Sequence, residues 1–240
     1  MSRVDVRRSA PLVLMYHSVA PYERDPFQVT VSPERFAQQM RWLARRGYHG
    51  MSVRELLDPP VSAAGTPVGL TFDDGYADFI AGALPVLMEH GLTATVFIVA
   101  GRLGGENGWD HPGPRKALMT ADQVRTLADA GMEIGSHGLR HVPLTTVDAA
   151  TLYAEVVESR AILEAVTGRP ITGFGYPYGA TGSREVTAVE SAGYRYGCAV
   201  GRSAVTGPYA LPRTYIGDRD GSVRLLAKCA RHHLSEAAVR

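Results

Sequence analysis

Short apolar runs alternate with amphipathic stretches along most of this chain. Residues 12–16 are a continuous apolar run and predict a buried strand. Ser32-Pro33-Glu34 reads as an N-cap with proline at the first helical position, and predicts a helix to about Arg46, stopped by Gly47. Residues 68–72 predict the next strand, 77–90 a helix ended by Gly91, and 93–99 a β-branched strand buried on both faces. Thr120-Ala-Asp-Gln123 has the spacing of a capping box and opens a helix that ends at Gly131. A short strand at 132–134 precedes a long amphipathic helix, 146–167, stopped by Gly168 and Pro170. A strand at 171–176, a helix at 183–192 and a strand at 194–200 complete the pattern. Regular alternation of this kind predicts parallel strands joined by helical crossovers.

The chain has 240 residues, 45% hydrophobic and 20% charged, enough for a full core in one domain. A formal net charge of +1 gives no long-range attraction to nucleic acid or anionic membrane. Neither is expected as a partner, and a monomer or small homo-oligomer is expected. Arg7-Arg8 and Arg45-Arg46 are short pairs, read as solvated surface. No apolar stretch reaches the length of a membrane span, and the apolar run after the arginines of residues 1–10 is too short for a secretory leader. A cytoplasmic protein is therefore expected. Cys198 and Cys229 have no metal-site or disulfide-framework spacing and are expected as free thiols. The expected organisation is an N-terminal extension (1–10), a catalytic domain (11–225) and a charged C-terminal tail (226–240).

Two motifs change the picture. In Leu70-Thr-Phe-Asp73-Asp74-Gly75-Tyr76 an apolar strand runs into two adjacent carboxylates and a glycine. Neighbouring side chains in a strand point to opposite faces, so the aspartates converge only where the strand has ended and the backbone turns. Gly75 permits that turn. In a barrel of parallel strands, these ends form the mouth where active sites sit. The second motif, Gly135-Ser136-His137-Gly-Leu-Arg-His141, also follows a short strand. Its histidines have the spacing that meets on one face of a helical turn and binds one metal. Taken singly, the first motif is also an ordinary strand-ending turn, and the second a pair of polar loop residues. Together, one Asp and two His form a facial ligand set that leaves positions open for water and substrate.

These residues resemble the polysaccharide deacetylases, the carbohydrate esterase family four group built on a NodB-homology domain. The metal motifs match as Thr71-Phe-Asp73-Asp74-Gly75 and Ser136-His137-x-x-x-His141. Phe174-Gly-Tyr-Pro177-Tyr178-Gly179 matches the family's aromatic-Pro-Tyr-Gly groove wall. Ala94-Thr-Val-Phe97 and Gly131-Met-Glu-Ile-Gly135 match as well, and the similarity runs in order over residues 12–200. The resemblance implies a single-domain α/β fold, a distorted (β/α)7-type barrel. It implies that Asp74, His137 and His141 bind one divalent ion, zinc first, with cobalt or nickel as alternatives. Asp73 would be the general base, taking a proton as water attacks an amide carbonyl. The backbone N–H of Tyr178 would help hold the oxyanion, with Pro177 and Tyr178 against the substrate.

The chain departs from that pattern in two places. Family members carry an arginine next to the Pro-Tyr of the third motif, where it orients the base; here the residue is Gly175. A late Leu-x-His motif that supplies the leaving-group acid has no good match, and His232 and His233 lie in the expected tail. His17, in Met15-Tyr16-His17-Ser18, ends the first strand and so reaches the same mouth. A Tyr-His there resembles a branch of the family that acts on poly-N-acetylglucosamine. Two roles stand open for His17, a turn or packing residue and the missing acid. Arg213, in Leu211-Pro-Arg213, is either a structural arginine or the replacement partner of Asp73. Trp109, in the long loop before Thr120, is either packing or a platform for a sugar face.

Three functions fit these residues. The first is metal-dependent hydrolysis of an N-acetyl group from an amino sugar, as polymer, oligomer or small conjugate. The second is hydrolysis of another linear or cyclic C–N amide on the same fold. The third is a carbohydrate-binding pseudoenzyme, whose support is the two departures above.

Overall fold

The computed structural model describes residues 11–59, 65–201 and 205–237; the expected N-terminal extension lies outside them. Strands are β1 (Val13–Tyr16), β2 (Ser18–Val19), β3 (Thr30–Val31), β4 (Tyr48–Met51), β5 (Thr66–Phe72), β6 (Thr95–Ile98), β7 (Glu133–Ser136), β8 (Gly173–Gly175), β9 (Tyr196–Cys198) and β10 (Thr214–Tyr215). Helices are α1 (Pro33–Arg45), α2 (Val53–Leu57), α3 (Phe79–Gly82), α4 (Leu84–Glu89), α5 (Ala121–Asp129), α6 (Ala149–Tyr153), α7 (Ser159–Thr167), α8 (Ser183–Ser191) and α9 (Ser222–Ala237).

The main sheet runs β10-β1-β5-β6-β7-β8-β9, with β4 paired to the first half of β5. Every pairing in it is parallel. β1, β6 and β7 are buried along their whole length, as strands covered on both faces must be. The sheet curls, and residues 211–215 link its two ends. Leu211 bridges Cys198 at the end of β9, and three residues later Thr214 pairs with Leu14 of β1. The expected single α/β domain, a distorted barrel of about seven strands, is what forms.

Most helix signals act as written. Thr120 and Gln123 make both halves of the capping box, Gln123 N–H to Thr120 Oγ1 at 3.3 Å and Thr120 N–H to Gln123 Oε1 at 2.9 Å. The helix expected over 77–90 instead breaks into α3 and α4. Pro85 stands in the first turn of α4, where it can give no N–H to a continuous helix. Gly82 passes so close to the Val19 carbonyl that a Cβ there would collide with its oxygen. The helix expected over 146–167 starts later, at Ala149, because Asp148 is the cap that receives the Thr151 N–H at 2.7 Å. It also widens into a π-helical turn at Ala154–Glu158.

The C-terminal stretch differs most. α9 runs straight through position 226, where a tail was expected, and buries Leu225 and Cys229 in the main core. Among its described side chains these two, a helical turn apart, form the buried edge, and Lys228 Nζ donates to the Tyr215 carbonyl at 2.6 Å, while Arg224 and Arg231 stay exposed. Cys198 and Cys229 are free and buried. No described helix is long and apolar enough to cross a membrane.

Candidate metal centre

Strand ends supply the site. His17 follows β1, Asp73 and Asp74 follow β5, His137 follows β7, and Tyr176-Pro177-Tyr178 follows β8. All lie at the C-terminal rim of the curled sheet. Asp74 would face away from Asp73 if the strand continued. It turns instead at φ 71°, and Gly75 follows at φ 73°. Among the described residues, the non-glycines at positive φ are Gln28, Asp74, His141 and Tyr178. Three of these four belong to this one site, and such backbone costs roughly 1–3 kcal/mol each and persists only where the surroundings impose it.

The turn brings three candidate ligand atoms together. Asp74 Oδ1 lies 3.4 Å from His137 Nε2 and 3.2 Å from His141 Nε2. One donor atom from each residue falls within 4.8 Å of the others, and all three residues are buried. His137 Nδ1 sits 2.7 Å from the Gly175 carbonyl, which accepts its N–H and leaves Nε2 as the lone-pair nitrogen. Asp74 Oδ1 has no hydrogen-bond partner among the described residues. A buried carboxylate oxygen without a hydrogen bond, facing two imidazole nitrogens, is a donor set that fits a divalent cation.

The local field points the same way. Burial works against protonating His137, yet the Asp73 and Asp74 carboxylates outweigh it and raise its pKa. Burial pushes Asp74 up, but its contacts with His137 and His141 hold it well below the usual carboxylate range. A pocket that attracts a proton this way also attracts a metal ion.

Asp73 is held differently. Arg213 Nη1 donates to its Oδ1 at 2.6 Å and Nη2 to its Oδ2 at 2.8 Å. The same guanidinium donates to Thr71 Oγ1 at 3.2 Å and to the Ala199 carbonyl at 3.1 Å, and lies over the Phe97 ring. Burial raises the Asp73 carboxyl, and the Arg213 charge more than reverses this, so the group stays below its ordinary pKa. Arg213 reaches this point because it sits in the linking segment between Leu211 and Thr214. The Gly175 position has no room for a side chain: a Cβ there would lie 2.9 Å from the Phe97 ring and 3.0 Å from His137 Nδ1.

His17 is half-buried, and its Nδ1 has no hydrogen-bond partner among the described residues. Pro177 is buried, and Tyr178 is 55% exposed with its ring 4.6 Å from that of His141. Trp109 stacks on the His141 ring, 4.3 Å between ring centres. The structure thus gathers His17, Asp73, Asp74, Trp109, His137, His141, Pro177, Tyr178 and Arg213 around one rim.

Two supporting residues escaped the sequence reading. Tyr76 donates to Asp110 Oδ2 at 2.9 Å and Asn107 Nδ2 donates to the same oxygen at 3.0 Å. Burial, with Asp74 and Asp110 nearby, drives the Tyr76 phenol far above its usual pKa, so it remains a donor. Met119 N–H to the Gly75 carbonyl, 2.9 Å, ties the far end of the same loop to the Asp74 turn. Trp109 is therefore carried on a braced loop. The only signal in the sequence was position, since Tyr76 directly follows the Asp-Asp-Gly turn.

The polysaccharide deacetylase family model matches residues 61–197, more than half of the chain. The chain belongs to the polysaccharide deacetylase family. Its metal-dependent chemistry is that of a deacetylase-type hydrolase, and the Asp-His-His cluster supplies a possible metal site. Among curated relatives, YxkH of Bacillus subtilis (strain 168) is 28% identical over 210 residues, 85% of this chain and 70% of that protein. A poly-β-1,6-N-acetyl-D-glucosamine N-deacetylase of Staphylococcus aureus (strain N315) is 24% identical over 203 residues, 79% of this chain and 68% of that one. The fold matches a solved de-N-acetylase from Aggregatibacter actinomycetemcomitans with a TM-score of 0.78 at 20% identity, over 92% of this chain and 100% of that chain.

Proposed function

We propose that this polysaccharide deacetylase removes N-acetyl groups from an amino sugar of the N-acetylglucosamine type. The observation that carries it is the buried convergence of Asp74, His137 and His141 beside a carboxylate clamped by arginine. The relative that acts on poly-β-1,6-N-acetyl-D-glucosamine adds the substrate class.

Asp74, His137 and His141 would hold the ion, zinc before cobalt or nickel. When bound, a divalent ion lowers the pKa of water and polarises a carbonyl. Asp73, kept ionised by Arg213, accepts the proton that the attacking water loses. Arg213 does not touch substrate; it aims the carboxylate and keeps it charged. The Tyr178 N–H lies in a strained turn next to the site and is suited to the carbonyl oxygen as charge develops on it. His17, with an unsatisfied ring nitrogen at the rim, gives a proton to the departing amine. Trp109, Pro177 and Tyr178 form an aromatic and apolar border fit for a sugar ring.

The test is acetate release from a panel of N-acetylated sugars, from single residues to oligomers, with added Zn²⁺, Co²⁺ or Ni²⁺. Acetate and free amine should appear in equal amounts. Asp73→Asn should lower kcat by about 10²–10⁴-fold while metal content stays unchanged. Full turnover by Asp73→Asn would remove that residue as the base. Metal-loaded protein that releases no acetate from any member of the panel would favour a binding module.

A further inference from the structure

The long helix expected over 146–167 carries an acid where its inward face should be apolar. Leu152, Val156 and Leu163 are buried on that face, and so is Glu155, at 0% exposure. Its carboxylate points into the loop between the two metal-site histidines. Oε2 accepts the Leu139 N–H at 2.7 Å and the Arg140 N–H at 3.0 Å, and Oε1 accepts the Arg140 Nε–H at 2.8 Å. Every described donor to this buried charge thus comes from residues 139 and 140, between His137 and His141.

The surrounding backbone is shaped for that contact. The π-helical turn at Ala154–Glu158 inserts an extra residue per turn, which lets Glu155 and Val156 both face inward. The carbonyls loosened by the wide turn are taken up: Ser159 Oγ donates to the Glu155 carbonyl at 2.6 Å and Tyr194 Oη to the Val156 carbonyl at 2.9 Å. Ser159 Oγ also meets Ser136 Oγ at 2.7 Å, and Ser136 Oγ accepts the Gly138 N–H at 3.2 Å. On the loop side, Gly138 sits at φ 78°, and a Cβ there would come within 2.8 Å of Glu155 Oε2. The loop's other face is pinned by the Gly138 and Leu139 carbonyls, which accept from Ala100 N–H and Gly101 N–H at 2.9 Å each.

We infer that Glu155 is a positioning residue that sets the separation of His137 and His141 for metal binding. It anchors two consecutive amides of the loop, and so fixes where His141 emerges at its positive φ. A carboxylate suits this task better than an amide or hydroxyl, because one charged oxygen accepts both N–H groups while the other takes the Arg140 guanidinium. The inference rests on the reading of His137 and His141 as ligands.

The experiment is Zn²⁺ affinity of the purified full chain by chelator competition, with metal-free thermal melts alongside. Glu155→Gln should fold yet bind Zn²⁺ about 10–100-fold more weakly. Arg140→Met, which changes a half-exposed side chain and leaves both amides in place, should weaken binding in the same direction by less. Glu133→Gln is the control. Glu133, also buried at 2% exposure, begins β7, the strand that leads to His137, and bonds to Arg54, Thr95 and Thr172 instead of the loop. It should lower the melting temperature and leave Zn²⁺ affinity unchanged. Wild-type affinity in folded Glu155→Gln would overturn the inference, as would an equal loss in Glu133→Gln. If Glu155→Gln fails to fold, unchanged affinity in Arg140→Met overturns it. Retained one-to-one Zn²⁺ in His137→Ala would instead sink the ligand assignment beneath it.

Discussion

Arg213→Met is expected to lose about 3–5 kcal/mol of folding stability, the usual result of leaving a buried carboxylate without its partner. The pair is fully enclosed, with side-chain exposures of 0% for Arg213 and 4% for Asp73. Methionine fills much of the volume but gives none of the four hydrogen bonds from the guanidinium. The pH dependence has a definite sign. In the wild type the Asp73 carboxyl is held below its ordinary pKa, so the pair stabilises the fold above the unfolded carboxylate's pKa and the benefit fades as pH falls through the folded value. Without Arg213, burial dominates and the carboxyl moves up. The stability gap between variant and wild type should therefore narrow as pH falls from neutral. Urea melts across about pH 3 to 8, a range that includes the ordinary aspartate pKa, measure it. The acid limb of kcat/KM should shift to higher pH in the variant, since the base now protonates earlier. An unshifted limb would separate Arg213 from the ionisation of Asp73.

His137→Ala should abolish stoichiometric metal binding, the second large effect. It removes one of the three proposed ligands and leaves Asp74 Oδ1 facing a single imidazole. A ligand that binds only the folded state stabilises it by about 2.7 kcal/mol at a hundredfold excess over Kd. Added Zn²⁺ should accordingly raise the melting temperature of the wild type and leave that of His137→Ala where it was. Metal analysis after dialysis should find about one ion per wild-type chain and none in the variant, as expected of an open three-ligand site. An equal thermal shift in both proteins would place the ion elsewhere.

The parts of this molecule that were legible in its sequence are those dictated by local chemistry. The apolar runs at β1, β5 and β6 announce strands, and Thr120 with Gln123 announces α5. The Asp-Asp-Gly turn and the paired histidines are legible because each is a contiguous motif at a strand end. Part of what was missed depends on distant neighbours. The break between α3 and α4 combines Pro85 with the close approach of Gly82 to the Val19 carbonyl, some sixty positions away in the chain. The short β4 and α2 were overlooked although Ser52 and Glu55 form a capping box. α9 was read as a tail because its charged residues dominate the local composition, and among its described side chains Leu225 and Cys229, a turn apart, reveal its buried edge. Glu155 could have been noticed as an acid on an apolar helical stripe, but its donors belong to a loop fifteen residues earlier.

The stretch from Leu211 to Tyr215 joins the two ends of the curled sheet, and it also carries the arginine that grips Asp73. Architecture and reactivity are therefore not separable here. Any fraying of that seam withdraws the guanidinium from the base at the same moment as it opens the barrel wall. The proposed catalytic role of Asp73 is tied in this way to completion of the fold's last strand, because a chain still lacking residues 211–215 would leave that carboxylate without its arginine.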